Sequence, residues 1–256
     1  MKIVFVYSVP RSGSTYFTKL LEDKKGYVVM PETYLHLALT SEDFELSEKS
    51  VSSCMPDDFP ISNIELYNYL IKSNDKLNDF LSLIKEKFAP EYLVLKTTRL
   101  LGYANKVNIN YEYRNIWIDR NPLNIFESLT RVSFGENNSN PLRFAVWYSS
   151  YYFTKIRFNS EIVCYSESVN YVRNLPEGST VLKSYSSEYH STKSWHANLN
   201  KNFNNTDLQK LENLSKYDII AIQLSIFILK LFAPIFNYLR ISYDKKLLRK
   251  INNNSI

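Results

Sequence analysis

Residues 3–16 read Ile3-Val4-Phe5-Val6-Tyr7-Ser8-Val9-Pro10-Arg11-Ser12-Gly13-Ser14-Thr15-Tyr16, and the change of character halfway along decides the fold class. The first five residues are β-branched or aromatic without a polar break, the pattern of a strand buried on both faces. Further on, Phe17, Leu20 and Leu21 recur at helical spacing, with Ser14 or Thr15 placed to cap the first turn. A strand, a tight glycine turn and a helix start together present backbone N–H donors and the positive end of a helix dipole to one point. Arg11 adds a guanidinium, and Ser12, Ser14 and Thr15 add hydroxyls, so the natural occupant is a phosphate or sulfate group. The turn is not the G-x-x-x-x-G-K-[ST] loop, because the second glycine and the lysine are absent. Taken alone, it reads equally as an ordinary strand-to-helix turn with a solvated Arg11.

Outward from this turn the alternation repeats. Residues 26–30 read as a second strand, ended by Pro31 with Glu32 directly after it. Residues 64–88 carry helical periodicity, broken near Ser73-Asn74. A third strand over 92–95 runs into Lys96-Thr97-Thr98-Arg99, and a fourth over 115–119 runs into Arg120-Asn121-Pro122, with Pro122 placed to open a helix. An aromatic helix spans 141–158, and a fifth strand over 161–165 ends at Tyr165. This order predicts an α/β fold, a parallel β-sheet flanked by helices on both faces. Residues 40–62, polar and holding Pro56 and Pro60, read as a loop or lid; residues 176–198 read as a loop, followed by a helix near 208–214.

At 256 residues with a net charge of +5, one domain over 1–256 is the simplest expectation, and the mild basicity suits an anionic ligand better than nucleic acid. Cys54 and Cys164 show no metal-ligand spacing, and three histidines add no cluster, so no metal is expected. Met1-Lys2 leads straight into the first strand, which reads as leaving no room for a signal peptide and as a cytoplasmic start. The segment 217–250 is hydrophobic, then basic. Its apolar part, 219–239, is long enough to span a bilayer, yet Lys216, Gln223, Lys230 and Asn237 recur every seven residues and draw a narrow polar stripe. That pattern predicts a core helix with one wet edge. The alternative is a membrane-surface or anchoring role, supported by Arg240, Lys245, Lys246, Arg249 and Lys250 just beyond.

Ligands of parallel sheets bind beyond the carboxyl ends of the strands, so residues 11–15, Glu32, Lys96, Arg120 and Tyr165 are expected on one edge. Here two motifs become specific. Pro10-Arg11-Ser12-Gly13-Ser14-Thr15 resembles the 5′-phosphosulfate loop of sulfotransferases that use 3′-phosphoadenosine 5′-phosphosulfate, of the carbohydrate and tyrosylprotein type. Ile118-Asp119-Arg120-Asn121-Pro122, with Ser128 eight residues after Arg120, resembles their 3′-phosphate motif. The resemblance covers residues 1–35 and 92–135; position 14 is Ser where Thr is commoner, and Thr97-Thr98 stands where the tyrosylprotein enzymes have Asp-Pro.

The resemblance implies a P-loop NTPase-like sulfotransferase fold and that donor as co-substrate, with no metal. It also implies a hydroxyl acceptor on a sugar, a glycan or a lipid-linked saccharide. It implies Glu32 as catalytic base and Arg11 and Lys96 as catalytic cations. For the nucleotide it implies Arg11, Ser12, Gly13, Ser14, Thr15 and Tyr16 around the 5′ group, Arg120 and Ser128 on the 3′-phosphate, Tyr165 closing the fifth strand, and Lys193 in a late loop. Two other readings stand beside it, a phosphoryl-transfer enzyme on a related loop and a non-catalytic nucleotide-binding, membrane-associated protein. Single residues have plainer readings too: Glu32 as a surface carboxylate or cap, Lys96 as an exposed strand end, Arg131 paired with Glu127, and His36, His190 and His196 as ordinary polar residues. Trp147 and the tyrosines of 148–152 read as core.

Overall fold

The computed structural model describes residues 1–55, 59–130, 140–157, 159–179, 212 and 214–253. Five strands, β1 (Lys2–Ser8), β2 (Tyr27–Pro31), β3 (Tyr92–Thr97), β4 (Tyr113–Asp119) and β5 (Glu161–Cys164), form one sheet in the order β2-β3-β1-β4-β5, every pairing parallel. The α/β reading of the sequence is therefore met, with β1 at the centre. Its unbroken apolar run has a direct cause. Ile3, Phe5 and Tyr7 enter the core on one face and Val4 and Val6 the core on the other, so no position is left to be polar.

Helices cover both faces unequally. On the Val4 and Val6 side lie α1 (Ser14–Glu22), through Phe17 and Leu21, and, after a short 3-10 turn at Tyr165–Glu167, α8 (Ser168–Asn174), through Val172. The thicker layer on the other side holds α2 (Leu35–Ala38), α3 (Glu48–Cys54), α4 (Asn63–Leu70), α5 (Lys76–Phe88), α6 (Pro122–Thr130) and α7 (Pro141–Arg157). It is completed by α9 (Lys216–Lys230) and α10 (Ala233–Asn253).

Side-chain caps start several of these helices: the Ser62 hydroxyl accepts the Glu65 N–H at 3.2 Å, and Asp75 accepts the Asn78 N–H at 3.3 Å. The Asp75 cap is what separates α4 from α5 near the expected break. Within the expected loop over 40–62, Ser47 and Ser50 form a reciprocal capping box that nucleates α3. The expected helix near 208–214 falls almost wholly outside the described residues, as do Arg131, His190, Lys193 and His196.

The C-terminal segment differs from its expectation in two ways. It is two helices, with the chain turning at Leu231 and Phe232, because Pro234 lacks the N–H that a continuing helix needs and suits a helix start instead. Nor is α9 a core helix with one wet edge, since it buries Ile222 and Ile226 and leaves most of its other apolar side chains exposed. Among the described residues no helix is long and apolar enough to cross a membrane. The second helix, α10, is anchored from inside. Its buried Arg240 pairs with the buried Asp244 and stacks 4.4 Å over the Tyr151 ring of α7, while Asp244 accepts the Gly102 N–H at 2.7 Å.

The strand order positions the site. From β1 the chain moves outward to β2, and from β4 it moves the opposite way to β5. Adjacent strands β1 and β4 thus send their connections in opposite directions, which opens a crevice beyond their carboxyl ends.

A candidate active site at the carboxyl edge of the sheet

The turn after β1 is wound tightly, with the Ser12 N–H bonded to the Val9 carbonyl at 3.1 Å. Arg11 and Gly13 both sit in the left-handed region, at φ 73° and 88°. For Arg11 this conformation costs on the order of 1 kcal/mol. Gly13 is required for a second reason: a Cβ there would lie 2.2 Å from the Tyr165 ring.

The expected cap of α1 by Ser14 or Thr15 is not what forms. Gly13 takes the N-cap position with no side-chain cap, and the Ser14 hydroxyl instead accepts the buried Ser8 hydroxyl at 2.8 Å. The amino end of α1 thereby keeps its N–H groups and dipole without a side-chain cap, the arrangement that receives an anion. Ser12, 1 % exposed, adds a buried hydroxyl with no partner among the described residues. Thr33, buried just after Glu32, is the same.

Two groups of side chains flank this turn. On the β4 side, Arg11 Nε donates to the Ser128 hydroxyl of α6 at 3.1 Å, and Arg120 Nη1 donates to the Arg11 carbonyl at 3.0 Å. The Arg120 guanidinium lies 4.6 Å over the Tyr165 ring, which meets Tyr16 edge-on at 6.0 Å between centroids. On the β3 side, Lys96 Nζ donates to the Thr15 hydroxyl at 3.3 Å and pairs with the Glu32 carboxylate. The Lys96 side chain is 2 % exposed and that of Glu32 32 %, so a buried cation reaches an accessible carboxylate. Glu32 also holds a left-handed backbone, φ 56°, a conformation uncommon for any residue but glycine.

No family model, curated protein or solved structure matches the chain.

Of the residues expected to form a site, Arg11, Ser12, Gly13, Ser14, Thr15, Tyr16, Glu32, Lys96, Arg120, Ser128 and Tyr165 all fall at this one edge; Lys193 lies outside the described residues. Lys96 is no exposed strand end. Arg11 stands with Arg120 and Ser128 rather than beside Lys96, because the left-handed backbone at Arg11 turns it toward β4 and α6. His36 is fully buried, stacked 5.2 Å from Phe5, and burial depresses it to about 3, so it is a neutral core residue. Tyr148 and Tyr151 are buried and Trp147 packs partly against them, as core.

Sequence reasoning left two features of the edge unassigned. Lys155 of α7 pairs with Asp119 at 2.8 Å, at the end of β4. Arg99 stacks 5.3 Å over the Tyr34 ring and donates to its hydroxyl at 3.3 Å, and that hydroxyl donates to the Ser53 carbonyl of α3. Burial raises the Tyr34 phenol, with Arg99 opposing, so it stays a donor. Arg99 carried a signal, in the cationic run after β3; Lys155 carried none, since helix register alone brings it to Asp119. Apart from this edge, a cavity of about 550 Å³ lined by Tyr113, Arg114, Asn159 and Glu161 opens at the amino ends of β4 and β5.

Proposed function

We propose that the crevice is the active site of a sulfuryl transferase, taking the group from 3′-phosphoadenosine 5′-phosphosulfate to a hydroxyl of a sugar, glycan or lipid-linked saccharide. The observation that carries this reading is Lys96: one buried ammonium touches both the hydroxyl-lined anion turn, through Thr15, and the half-open carboxylate of Glu32. A second anion position, Arg120 with Ser128 and Arg11, lies on the far side of the same turn, which suits a ligand carrying two separated anionic groups. The Ser12 hydroxyl, without a partner among the described residues, and the turn without a side-chain cap fit the donor's 5′ end.

The donor, when bound, supplies an activated sulfuryl group on a phosphate leaving group. Glu32 takes the proton of the acceptor hydroxyl as that oxygen bonds to sulfur. The bond between sulfur and the phosphate oxygen breaks, its electron pair staying on the phosphate. Lys96 and the N–H groups of the turn stabilise the growing charge by being already in place, while Arg11, bonded to Ser128, belongs to the second anion position. Arg120 and Ser128 hold the 3′-phosphate and favour donors that carry it. The Arg120–Tyr165 stack fixes that guanidinium and closes the nucleotide's flank.

The test is release of 3′,5′-bisphosphoadenosine over a panel of hydroxyl acceptors, in wild type and two variants. Glu32→Gln should lower kcat by roughly 10²–10⁴ with donor affinity kept. Lys96→Met should lower it by roughly 10²–10³. No release with any acceptor, together with no donor binding, overturns the proposal.

A further inference from the structure

The C-terminal hairpin of helices carries an apolar face left exposed among the described residues. While α9 turns Ile222 and Ile226 into the core, Tyr217, Ile220, Leu224, Phe227 and Leu231 recur at intervals of three and four along its opposite side. Tyr217 is 71 % exposed, Phe227 66 % and Leu231 75 %, so the row is open along its whole length. Across the turn, Phe232, Ile235 and Tyr238 continue it onto α10. We propose that this face docks the protein on an anionic lipid surface.

Three observations select that occupant. Tyrosines stand at the two ends of the row, Tyr217 and Tyr238, with aliphatic residues and phenylalanine between, the order expected where amphipathic rings sit at headgroup level. The charge around the row is predominantly positive. Lys216 and Lys230 run along one edge, and Lys246, Arg249 and Lys250 are exposed on α10. The segment's two carboxylates are both engaged, Asp244 by buried Arg240 and Asp218 by Ser215. Finally, α9 has 15 residues and is not long enough to cross a bilayer, which fits a helix lying in the interface. A second copy of the chain suits the face less well, because two-fold pairing would bring the lysine edges of both copies together.

The face has a fixed relation to the crevice. Lys230, at the end of α9, lies 5.1 Å over the Tyr152 ring, which also carries Lys155 at 5.6 Å, and Lys155 is the partner of Asp119 at the end of β4. A docked α9 therefore holds the carboxyl edge of the sheet beside the lipid surface. If the crevice acts as proposed above, its acceptor is one borne on that surface; the docking itself does not depend on the chemistry of the crevice.

Flotation of the 256-residue chain with phosphatidylcholine vesicles, with and without phosphatidylglycerol, tests the proposal. Binding to the anionic vesicles is expected, weakening as salt is raised. The triple variant Leu224→Glu, Phe227→Glu, Leu231→Glu should lose it by about tenfold or more, and the serine triple at the same positions should lose most of it. Both variants should keep the wild-type circular dichroism and melting temperature, since all three side chains are exposed. Absence of binding, equal binding to neutral vesicles, or binding that survives both triples overturns the proposal. So does a dimer that the triples dissociate in a chain that ignores vesicles.

Discussion

Lysine is seldom buried unless something holds its charge, and Lys96 is held by a hydroxyl of the anion turn and by Glu32. Removing either partner would leave a charge without its neighbour, so the pair is a local commitment made at the end of β3. Gly13 is a commitment of another kind. Its φ of 88° and the Tyr165 ring 2.2 Å from any added Cβ exclude a side chain twice over. Gly13→Ala should therefore cost on the order of 1–2 kcal/mol from the backbone alone, and displacing Tyr165 from Arg120 should weaken nucleotide binding as well. Chemical denaturation checks the first effect. Adding Tyr165→Ala should recover the contact's share of the loss and leave the backbone's share. A Gly13→Ala protein as stable as wild type would contradict the close packing of turn and ring.

The elements were legible in the sequence where one local rule sufficed. The five strands announce themselves by short apolar runs rich in aliphatic and aromatic residues, and the residues after them had to share an edge once the sheet was parallel. Three things were out of reach of local rules. Arg11 turns toward Ser128 because of a left-handed backbone that arginine does not advertise. Lys155 finds Asp119 only through the way α7 packs. The apolar side of α9 is plain in the periodicity, but periodicity says nothing of which apolar side has a partner. In α2, His36 looked like a polar residue one turn beyond Glu32, and the structure puts it wholly in the core with neither ring nitrogen bonded among the described residues. Burial lowers it to about 3 from its ordinary 6.5. Between those values the unfolded chain is protonated at this position and the folded one is not, so stability falls as pH drops below 6.5 toward 3. The slope from this one group reaches at most about 1.4 kcal/mol per pH unit. Subtracting the pH profile of His36→Phe from that of wild type isolates the group. A difference flat between pH 6 and 4 would place a partner on the imidazole that burial alone does not supply.

Across the whole molecule, the sheet order puts opposite outward connections on β1 and β4, and the two cationic clusters stand on either side of the crevice this opens. The same arrangement brings α7 to that crevice through Lys155 and Asp119, and the end of α9 to α7 through Lys230 over the Tyr152 ring. If the crevice and the α9 face act as proposed, chemistry and docking share one edge of the sheet, and a lipid-borne acceptor reaches the site without leaving its surface. All of this depends on the crevice binding a nucleotide with two anionic ends. Isothermal titration calorimetry of 3′,5′-bisphosphoadenosine and of adenosine 5′-phosphate, on wild type and on Arg120→Ala, tests that claim most directly. The account predicts that wild type binds the bisphosphate more tightly than the monophosphate, and that Arg120→Ala loses roughly 10–100-fold for the bisphosphate and little for the monophosphate. Equal losses for the two ligands, or a wild-type protein that binds neither, would contradict it.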